Sequence, residues 1–166
     1  MHWHAPPGTA SWEAQKGDGN RAALKAMIES GTCPAVVAVE EGKPVGWCRL
    51  GPAGSFARLR RSRKLWRDDR ADWAIVCFFI AASHRGRGLS VRLVRVGTAL
   101  AFRSGARSVE GYPSVPRSAR MPAAFAWTGV PGIFEAAGFT RLPLDAGARR
   151  IYRMDDPGDQ PPPLNG

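Results

Sequence analysis

The sequence predicts an α/β fold in which a mixed, mostly antiparallel sheet contains a central βαβ crossover and is flanked by helices. The first observation is an apolar run, WAIVCFFI at residues 73–80, which is typical of a central strand buried on both faces. The second is an amphipathic helical pattern over residues 89–103, followed by the short strand SVEGY at 108–112. The third is that the other strand-like runs are joined by short turns, which favours antiparallel hairpins.

Composition indicates one soluble globular domain with a basic surface. The chain has 166 residues, 44% of them hydrophobic, and a formal net charge of +10. Such a surface attracts nucleic acid, acidic proteins and phosphate-bearing cofactors alike. The three cysteines show no CxxC pair, and neither a signal peptide nor an apolar run of bilayer length is found. These features predict reduced thiols, no membrane partner and a cytoplasmic location.

Before the central strand, the patterns predict a helix and a hairpin. Apolar residues recur at helical spacing within residues 11–31, and Gly31 is a typical stop. Residues 34–50 read as a hairpin with its turn at Glu41-Gly42-Lys43-Pro44. Residues 55–70 are rich in arginine, and a short amphipathic helix and a mobile basic loop both remain open there.

After the central strand, the chain predicts two more helices and two more strands. The helical stripe over residues 89–103 leads to the strand Ser108–Tyr112, and residues 113–122 read as irregular. Residues 129–139 read as a helix that starts at Pro131 and stops at Gly138. Residues 150–154 suit a last strand. We therefore divide the chain into an N-terminal arm (1–10), a single domain (11–154) and a disordered Pro-rich tail (155–166).

The joint between the central strand and the next helix is Arg85-Gly86-Arg87-Gly88. Three interpretations compete: a plain turn, an arginine-glycine segment for nucleic acid, and a backbone cradle for phosphate. The first amides of a helix have no intrahelical partner and lie at the positive end of its dipole, and glycine permits close approach of a ligand. Neither a dinucleotide GxGxxG motif nor a Walker P-loop fits the spacing.

The pattern that does fit is R-x-x-G-x-[GAS], present as Arg85-Gly86-Arg87-Gly88-Leu89-Ser90. It resembles the acyl-CoA pyrophosphate loop of the GNAT superfamily of N-acetyltransferases. Two further features agree: the apolar strand ends at Ile80, five residues before Arg85, and IFEAAGF at 133–139 resembles that family's later helix and Gly-Phe segment. The resemblance spans about residues 34–154, and Ser90 replaces the more usual small Gly or Ala.

The resemblance implies an acetyl-CoA-dependent N-acetyltransferase that needs no metal. In that family the end of the central strand pairs with the pantetheine arm, the loop amides hold the diphosphate, and a bulge splays the two central strands to admit the thioester. The residues that this assigns to acetyl-CoA binding are Phe78, Phe79, Ile80, Arg85, Gly86, Arg87, Gly88, Leu89 and Ser90.

The usual catalytic positions of the family are not filled by titratable side chains here. The late-helix tyrosine that often acts as acid is replaced by Phe134, and a common base position on the central strand is Ala74. In VEGYP, Glu110 and Tyr112 lie two residues apart on one face of a strand. We predict Glu110 as base, directly or through water, and Tyr112 as acid. The alternative is a strand-edge carboxylate and a packed, half-buried tyrosine.

The sequence does not identify the molecule that accepts the acetyl group. The leading interpretation is a primary amine of a small molecule or a protein. A second is an enzyme of the same fold that acts on, or uses, aminoacyl-tRNA, because the Arg58–Arg70 segment could contact RNA phosphates. A third is a basic nucleic-acid-binding module without catalysis, and a homodimer is a further partner that the sequence leaves open.

Overall fold

The computed structural model describes residues 17–115, 127–144 and 146–159. Within them lie the helices α1 (Asp18–Glu29), α2 (Ala57–Arg60), α3 (Leu89–Arg103) and α4 (Pro131–Ala137). The strands are β1 (Ala35–Glu40), β2 (Lys43–Pro52), β3 (Trp73–Ile80), β4 (Ser108–Gly111), β5 (Thr140–Arg141) and β6 (Tyr152–Asp155). Short 3₁₀ turns occupy Ala53–Ser55, Ala82–His84 and Pro157–Asp159.

The six strands form one sheet in the order β1-β2-β3-β4-β6-β5. Only the β3–β4 pair is parallel among these strands, and α3 connects its two members. Every other neighbouring pair is antiparallel. The predicted fold class, with its central βαβ crossover, is therefore confirmed.

The hairpin of β1 and β2 turns more tightly than the sequence predicted. The turn consists of Glu41 and Gly42, with φ of 49° and 74°, and β2 begins at Lys43. Positive φ at both central residues matches the twist of the flanking strands. Pro44 therefore lies inside the strand, opposite Val39 and next to Val45, the extra residue of a bulge in β2.

Helix ends follow the expected residues, whereas the burial of the helices differs. Gly31 and Gly138 adopt the left-handed conformation after α1 and α4, and Pro131 opens α4. Helix α3 buries one face against the sheet, but α1 buries none of its residues. Within the described chain, no helix combines the length and apolarity that crossing a membrane would require.

The C-terminal boundary lies later than predicted. Strand β6 extends to Asp155, and the amide of Asp156 donates a hydrogen bond to the carbonyl of Arg107 at 2.8 Å. The first residues assigned to a disordered tail are thus part of the fold, because β6 pairs with β4 along its whole length. Three segments named in the predictions lie wholly or mostly outside the described residues: the arm at 1–10, the irregular segment 113–122 and residues 160–166 of the tail. The sequence also missed β5, a strand of two residues.

The sheet separates two hydrophobic cores. On one side α3 and α4 pack against β2, β3 and β4, with Leu50, Leu93 and Phe134 at 3% exposure or less. On the other side the residues around α2 pack with Tyr112 and Ile151. Burial of each such large side chain contributes about 1.5–3 kcal/mol. The two cores hold β3 and β4 from both faces.

Candidate active site

The two central strands begin as a pair and then diverge. Their pairing ends at Ile75 opposite Gly111. On the other edge of β3, Arg49 faces Cys77 while Leu50 faces Ile75, so Val76 is one extra residue. Such a bulge bends its strand and increases the local twist. The residues from Val76 to Ile80 consequently have no partner in β4, which produces the splay that the family resemblance implied.

The loop at the end of β3 presents unbonded amides at the start of α3. Gly86 and Gly88 have φ of 74° and 73°, and a Cβ built on either would meet no atom within 4 Å. Among the described residues, none of the backbone hydrogen bonds is donated by an amide of residues 86–90. The open space and the free donors together form a site for an anion at the positive end of the α3 dipole.

A cavity of about 340 Å³ adjoins this loop. Eight of the nine residues predicted for coenzyme binding line it: Phe78, Phe79, Ile80, Arg85, Gly86, Gly88, Leu89 and Ser90. The ninth, Arg87, instead lines a neighbouring groove between β1 and α3. The guanidinium of Arg85 donates from Nε to the carbonyl of Ile80 at 3.1 Å, so this side chain ties the loop to the end of β3.

The backbone of β3 is not as free as predicted. The amide of Phe78 donates a hydrogen bond to the carbonyl of Trp127 at 2.7 Å. Alternate residues of a strand direct their amides to opposite edges, so Phe79 directs its amide toward β2 and Ile80 toward the splay. The expectation that three successive residues pair with a pantetheine arm is therefore corrected: Ile80 is available, Phe79 faces β2, and Phe78 is already bonded.

Three residues that sequence reasoning did not nominate also line the cavity: His84, Trp127 and Ile133. The Nε2 of His84 lies 2.6 Å from Oε2 of Glu40, and its Nδ1 lies 2.8 Å from Oγ of Ser83. This contact lowers the pKa of the exposed Glu40 carboxyl, through the hydrogen bond first and the charge second. The one sequence feature that points to His84 is its position directly before the loop motif. No local pattern in the sequence indicates Trp127.

The predicted catalytic pair is in contact but buried. Tyr112 OH donates to Oε2 of Glu110 at 2.9 Å, which confirms that the two side chains share a face. The other oxygen of Glu110 accepts from Nη2 of Arg67 at 2.7 Å and from the amide of Ala71 at 3.3 Å. Glu110 is 0% exposed and Tyr112 is 1% exposed.

This environment favours a structural role for the pair. Burial raises the pKa of Tyr112 well above its ordinary value, and the charge and hydrogen bond of Glu110 raise it further. Neither side chain lines the cavity beside the loop. A buried carboxylate is retained when its oxygens are paired, and Glu110 meets that condition through Arg67 and Tyr112. The assignment of Glu110 as base and Tyr112 as acid thus stays a prediction that the geometry does not favour.

The positions where related enzymes often have an acid and a base are packed with apolar side chains. Phe134 and Ala74 are both 0% exposed. Phe134 lies edge-on to Phe78, with ring centroids 6.0 Å apart, and Ala74 pairs with Glu110 across the parallel strands. Neither position offers a proton donor or acceptor to a substrate.

The arginine-rich segment is partly built into the fold. The guanidinium of Arg70 lies 3.6 Å from the ring centroid of Trp66, and Arg67 pairs with Glu110 and Asp69. Helix α2 covers Ala57–Arg60, so the short helix that the sequence left open occurs, and no further helix or strand follows it before β3. Because Arg70 covers one face of Trp66, that face cannot stack on a base, and RNA binding stays a prediction.

Another cavity, of about 500 Å³, lies at the opposite end of β3. Aspartates 68, 69, 72, 155 and 156 line it together with Arg70, Arg107, Ser108 and Arg153. Its charges are largely paired internally, as in Arg107 with Asp72 and Arg153 with Asp155. Within the described part of the chain, no three His, Cys, Asp or Glu side chains come together as a group that could hold a metal ion.

Comparison with known proteins agrees with this geometry. A model of the Acetyltransferase (GNAT) family matches residues 2–121. The fold is similar to that of the aminoglycoside acetyltransferase AAC(6')-Ib in complex with coenzyme A (TM-score 0.56, 21% identity, 92% of this chain and 79% of that one). It is also similar to a ribosomal-protein-alanine N-acetyltransferase from Brucella melitensis (0.51, 17%, 84% and 78%) and an N-acetyltransferase from Staphylococcus aureus Mu50 (0.51, 17%, 83% and 76%). No curated protein sequence matches the chain significantly.

The chain belongs to the GNAT acetyltransferase family, since the family model covers most of its length. Membership confirms the predicted enzyme class, an N-acetyltransferase, and with it acetyl-CoA as the acyl donor. The splayed strands and the loop at the start of α3 are the features of this chain that suit such a donor.

Proposed function

We propose that this protein transfers the acetyl group of acetyl-CoA to a primary amine of a small molecule or a protein. The observation that carries the proposal is the set of unbonded amides at residues 86–90, which open onto the cavity beside the splayed strands. Names of structural neighbours specify an aminoglycoside and a ribosomal-protein alanine as acceptors. Both are amines, which supports the acceptor class but not a particular acceptor.

In this proposal, the diphosphate of acetyl-CoA binds the amides of the loop. The dipole of α3, together with the two arginines of the loop, provides a positive potential there. Gly86 and Gly88 allow phosphate oxygens to reach the backbone, because no side-chain atoms intervene. The acyl end then extends along β3 toward the point where β3 and β4 diverge.

The transfer itself requires a neutral amine that attacks the thioester carbonyl. The C–N bond forms, the C–S bond breaks, the amine loses a proton, and the thiolate of coenzyme A gains one. Of the side chains that line the cavity, His84 carries an imidazole, which can accept or donate a proton. Glu110 and Tyr112 would serve as base and acid only if Arg67 moved away and exposed their side chains to the substrate.

Calorimetric titration with coenzyme A tests the binding part of the proposal. Gly88→Ala places a methyl group where the diphosphate would approach, so we expect affinity to fall about tenfold or more, equivalent to about 1.4 kcal/mol. Gly105→Ala is a matched control: Gly105 follows α3, has φ of 84°, and has no atom within 4 Å of a built Cβ. It carries the same backbone strain and should bind coenzyme A like the wild type.

Turnover with a panel of amines tests the transfer. We expect thiol release from acetyl-CoA to depend on an added primary amine. If the wild-type protein binds no coenzyme A, or if Gly88→Ala and Gly105→Ala weaken binding equally, the proposed diphosphate site is wrong. If coenzyme A binds but no amine of either class stimulates thiol release, the proposed acceptor class is wrong.

A further inference from the structure

A short segment stands between the diverging strands. The strap, which we define as Trp127–Gly129, accepts a hydrogen bond from the amide of Phe78 at the carbonyl of Trp127 (2.7 Å). At its other end, the carbonyl of Gly129 accepts from the amide of Ser114 at 3.2 Å. The strap thus bridges β3 and the residues that follow β4.

Side chains hold the strap in this position. Oγ of Ser114 lies 3.0 Å from Oγ1 of Thr128, and Thr128 is only 1% exposed. A Cβ built on Gly129 would lie 3.0 Å from the Phe134 ring and 3.3 Å from the Phe78 ring, so the backbone of the strap is packed tightly against both. Trp127 lines the cavity where coenzyme is proposed to bind.

The strap uses a backbone amide of β3 to which a pantetheine arm would bind. An arm that pairs with the end of β3 like an added strand would use the edge of β3 that faces the splay, where Phe78 and Ile80 direct their amides. The amide of Phe78 has one hydrogen to donate, and the strap already accepts it. We infer that the strap and the pantetheine arm compete for the edge of β3, so that the coenzyme is fully seated only when the strap releases Phe78.

This inference rests on the proposed function and has a quantitative consequence. When only a fraction of the protein is competent to bind, the apparent dissociation constant rises by the inverse of that fraction. The closed strap therefore weakens binding of ligands that carry the pantetheine arm. It does not affect a ligand that reaches only the loop at residues 86–90.

The experiment compares two ligands on a variant with a loosened strap. Ser114→Ala combined with Thr128→Val removes both hydroxyls of one contact without leaving either unpaired. We expect coenzyme A to bind about fivefold more tightly to this double variant, the factor that corresponds to one net hydrogen bond. Adenosine 3′-phosphate 5′-diphosphate retains the diphosphate but lacks the pantetheine arm, and its affinity should not change.

A matched control removes a similar pair of hydroxyls elsewhere. Oγ of Ser30 lies 2.9 Å from Oγ1 of Thr32, after α1, and Ser30→Ala with Thr32→Val should leave the affinities for both ligands unchanged. Tighter binding of coenzyme A to both double variants, or unchanged or weaker binding to the strap variant, would overturn the inference.

Hydrogen exchange on the wild-type protein provides a second readout that needs no variant. The amide of Ser114 is bonded to the strap, so release of the strap removes its acceptor. We expect exchange at Ser114 to accelerate when coenzyme A saturates the protein and to stay constant with adenosine 3′-phosphate 5′-diphosphate. Slower or unchanged exchange with coenzyme A contradicts the inference. The proposed function fails separately, when the wild type binds neither ligand.

Discussion

The ring of Phe134 determines which residue fits at the end of β4. It is 0% exposed and lies almost parallel to the ring of Tyr152, with centroids 6.0 Å apart, and edge-on to Phe139 at 5.4 Å. A Cβ built on Gly111 would lie 1.9 Å from Cε1 of Phe134. Gly111 is therefore required by close packing, whereas a special backbone conformation is not involved.

We expect Gly111→Ala to lower the free energy of unfolding by about 3 kcal/mol or more, since the ring cannot move out of a packed core without cost. Denaturant unfolding measures this loss. Gly132→Ala, in the first turn of α4 where a Cβ meets no atom within 4 Å, is the control and should change stability by no more than about 1 kcal/mol. Adding Phe134→Leu to the Gly111→Ala variant should restore part of the lost stability. A Gly111→Ala variant as stable as the wild type would refute the packing argument.

The Tyr112 hydroxyl can be tested for a structural or a catalytic role with one substitution. Tyr112→Phe leaves Oε2 of Glu110 without its donor, so we expect the free energy of unfolding to fall by about 1–3 kcal/mol. Turnover per folded molecule should stay within about twofold of the wild type, whereas loss of a general acid would lower it about 10²–10⁴-fold. A loss of that size, with unchanged affinity for coenzyme A, would restore Tyr112 as the catalytic acid.

At the scale of the element, two helices with similar sequence patterns have different surroundings. Both α1 and α3 have apolar residues at helical spacing. Leu93 of α3 is 3% exposed, whereas Ile28 of α1 is 58% exposed. Periodicity therefore identifies the apolar face of a helix, but whether the sheet covers that face depends on where the chain places it.

Matched truncations measure this difference between the helices. We expect Leu93→Ala to cost about 2–5 kcal/mol in the free energy of unfolding, as buried leucines do. Ile28→Ala should cost less than about 1 kcal/mol, because it removes little buried surface. Denaturant unfolding of both variants provides the comparison. Equal losses would mean that the apolar face of α1 is covered in solution.

At the scale of the whole molecule, both tyrosines of the chain are buried in the folded protein. Tyr112 is 1% exposed and Tyr152 is 2% exposed. Burial, and secondarily the hydrogen bond to Glu135, raises the pKa of Tyr152 to about 12, and burial also raises that of Tyr112. A pKa raised by folding stabilises the protonated form. This contribution is fully present below about pH 10, the ordinary tyrosine value, and is lost as the pH rises through the folded values.

We therefore expect no tyrosinate absorbance near about pH 10, the ordinary tyrosine value, in the folded protein. Both hydroxyls should ionise together with global unfolding at higher pH, which an ultraviolet titration followed in parallel by circular dichroism would show. Tyr152→Phe leaves one tyrosine and should halve the amplitude of that step. Ionisation of either tyrosine near its ordinary pKa, before unfolding, would contradict the burial of that side chain.

The sequence by itself determined the central strand, the crossover and the loop at residues 85–90, because each depends on local patterns: a continuous apolar run, a helical stripe, and glycines at a strand–helix joint. It also placed Glu110 and Tyr112 on one face, since alternation along a strand is a local property. Only the tertiary structure decided that Glu110 pairs with Arg67, which is 43 residues away in the chain. The same is true of the hydrogen bond that the amide of Phe78 donates to the carbonyl of Trp127. Contacts between distant segments depend on how the sheet and its two cores assemble, and no periodicity in the chain encodes them.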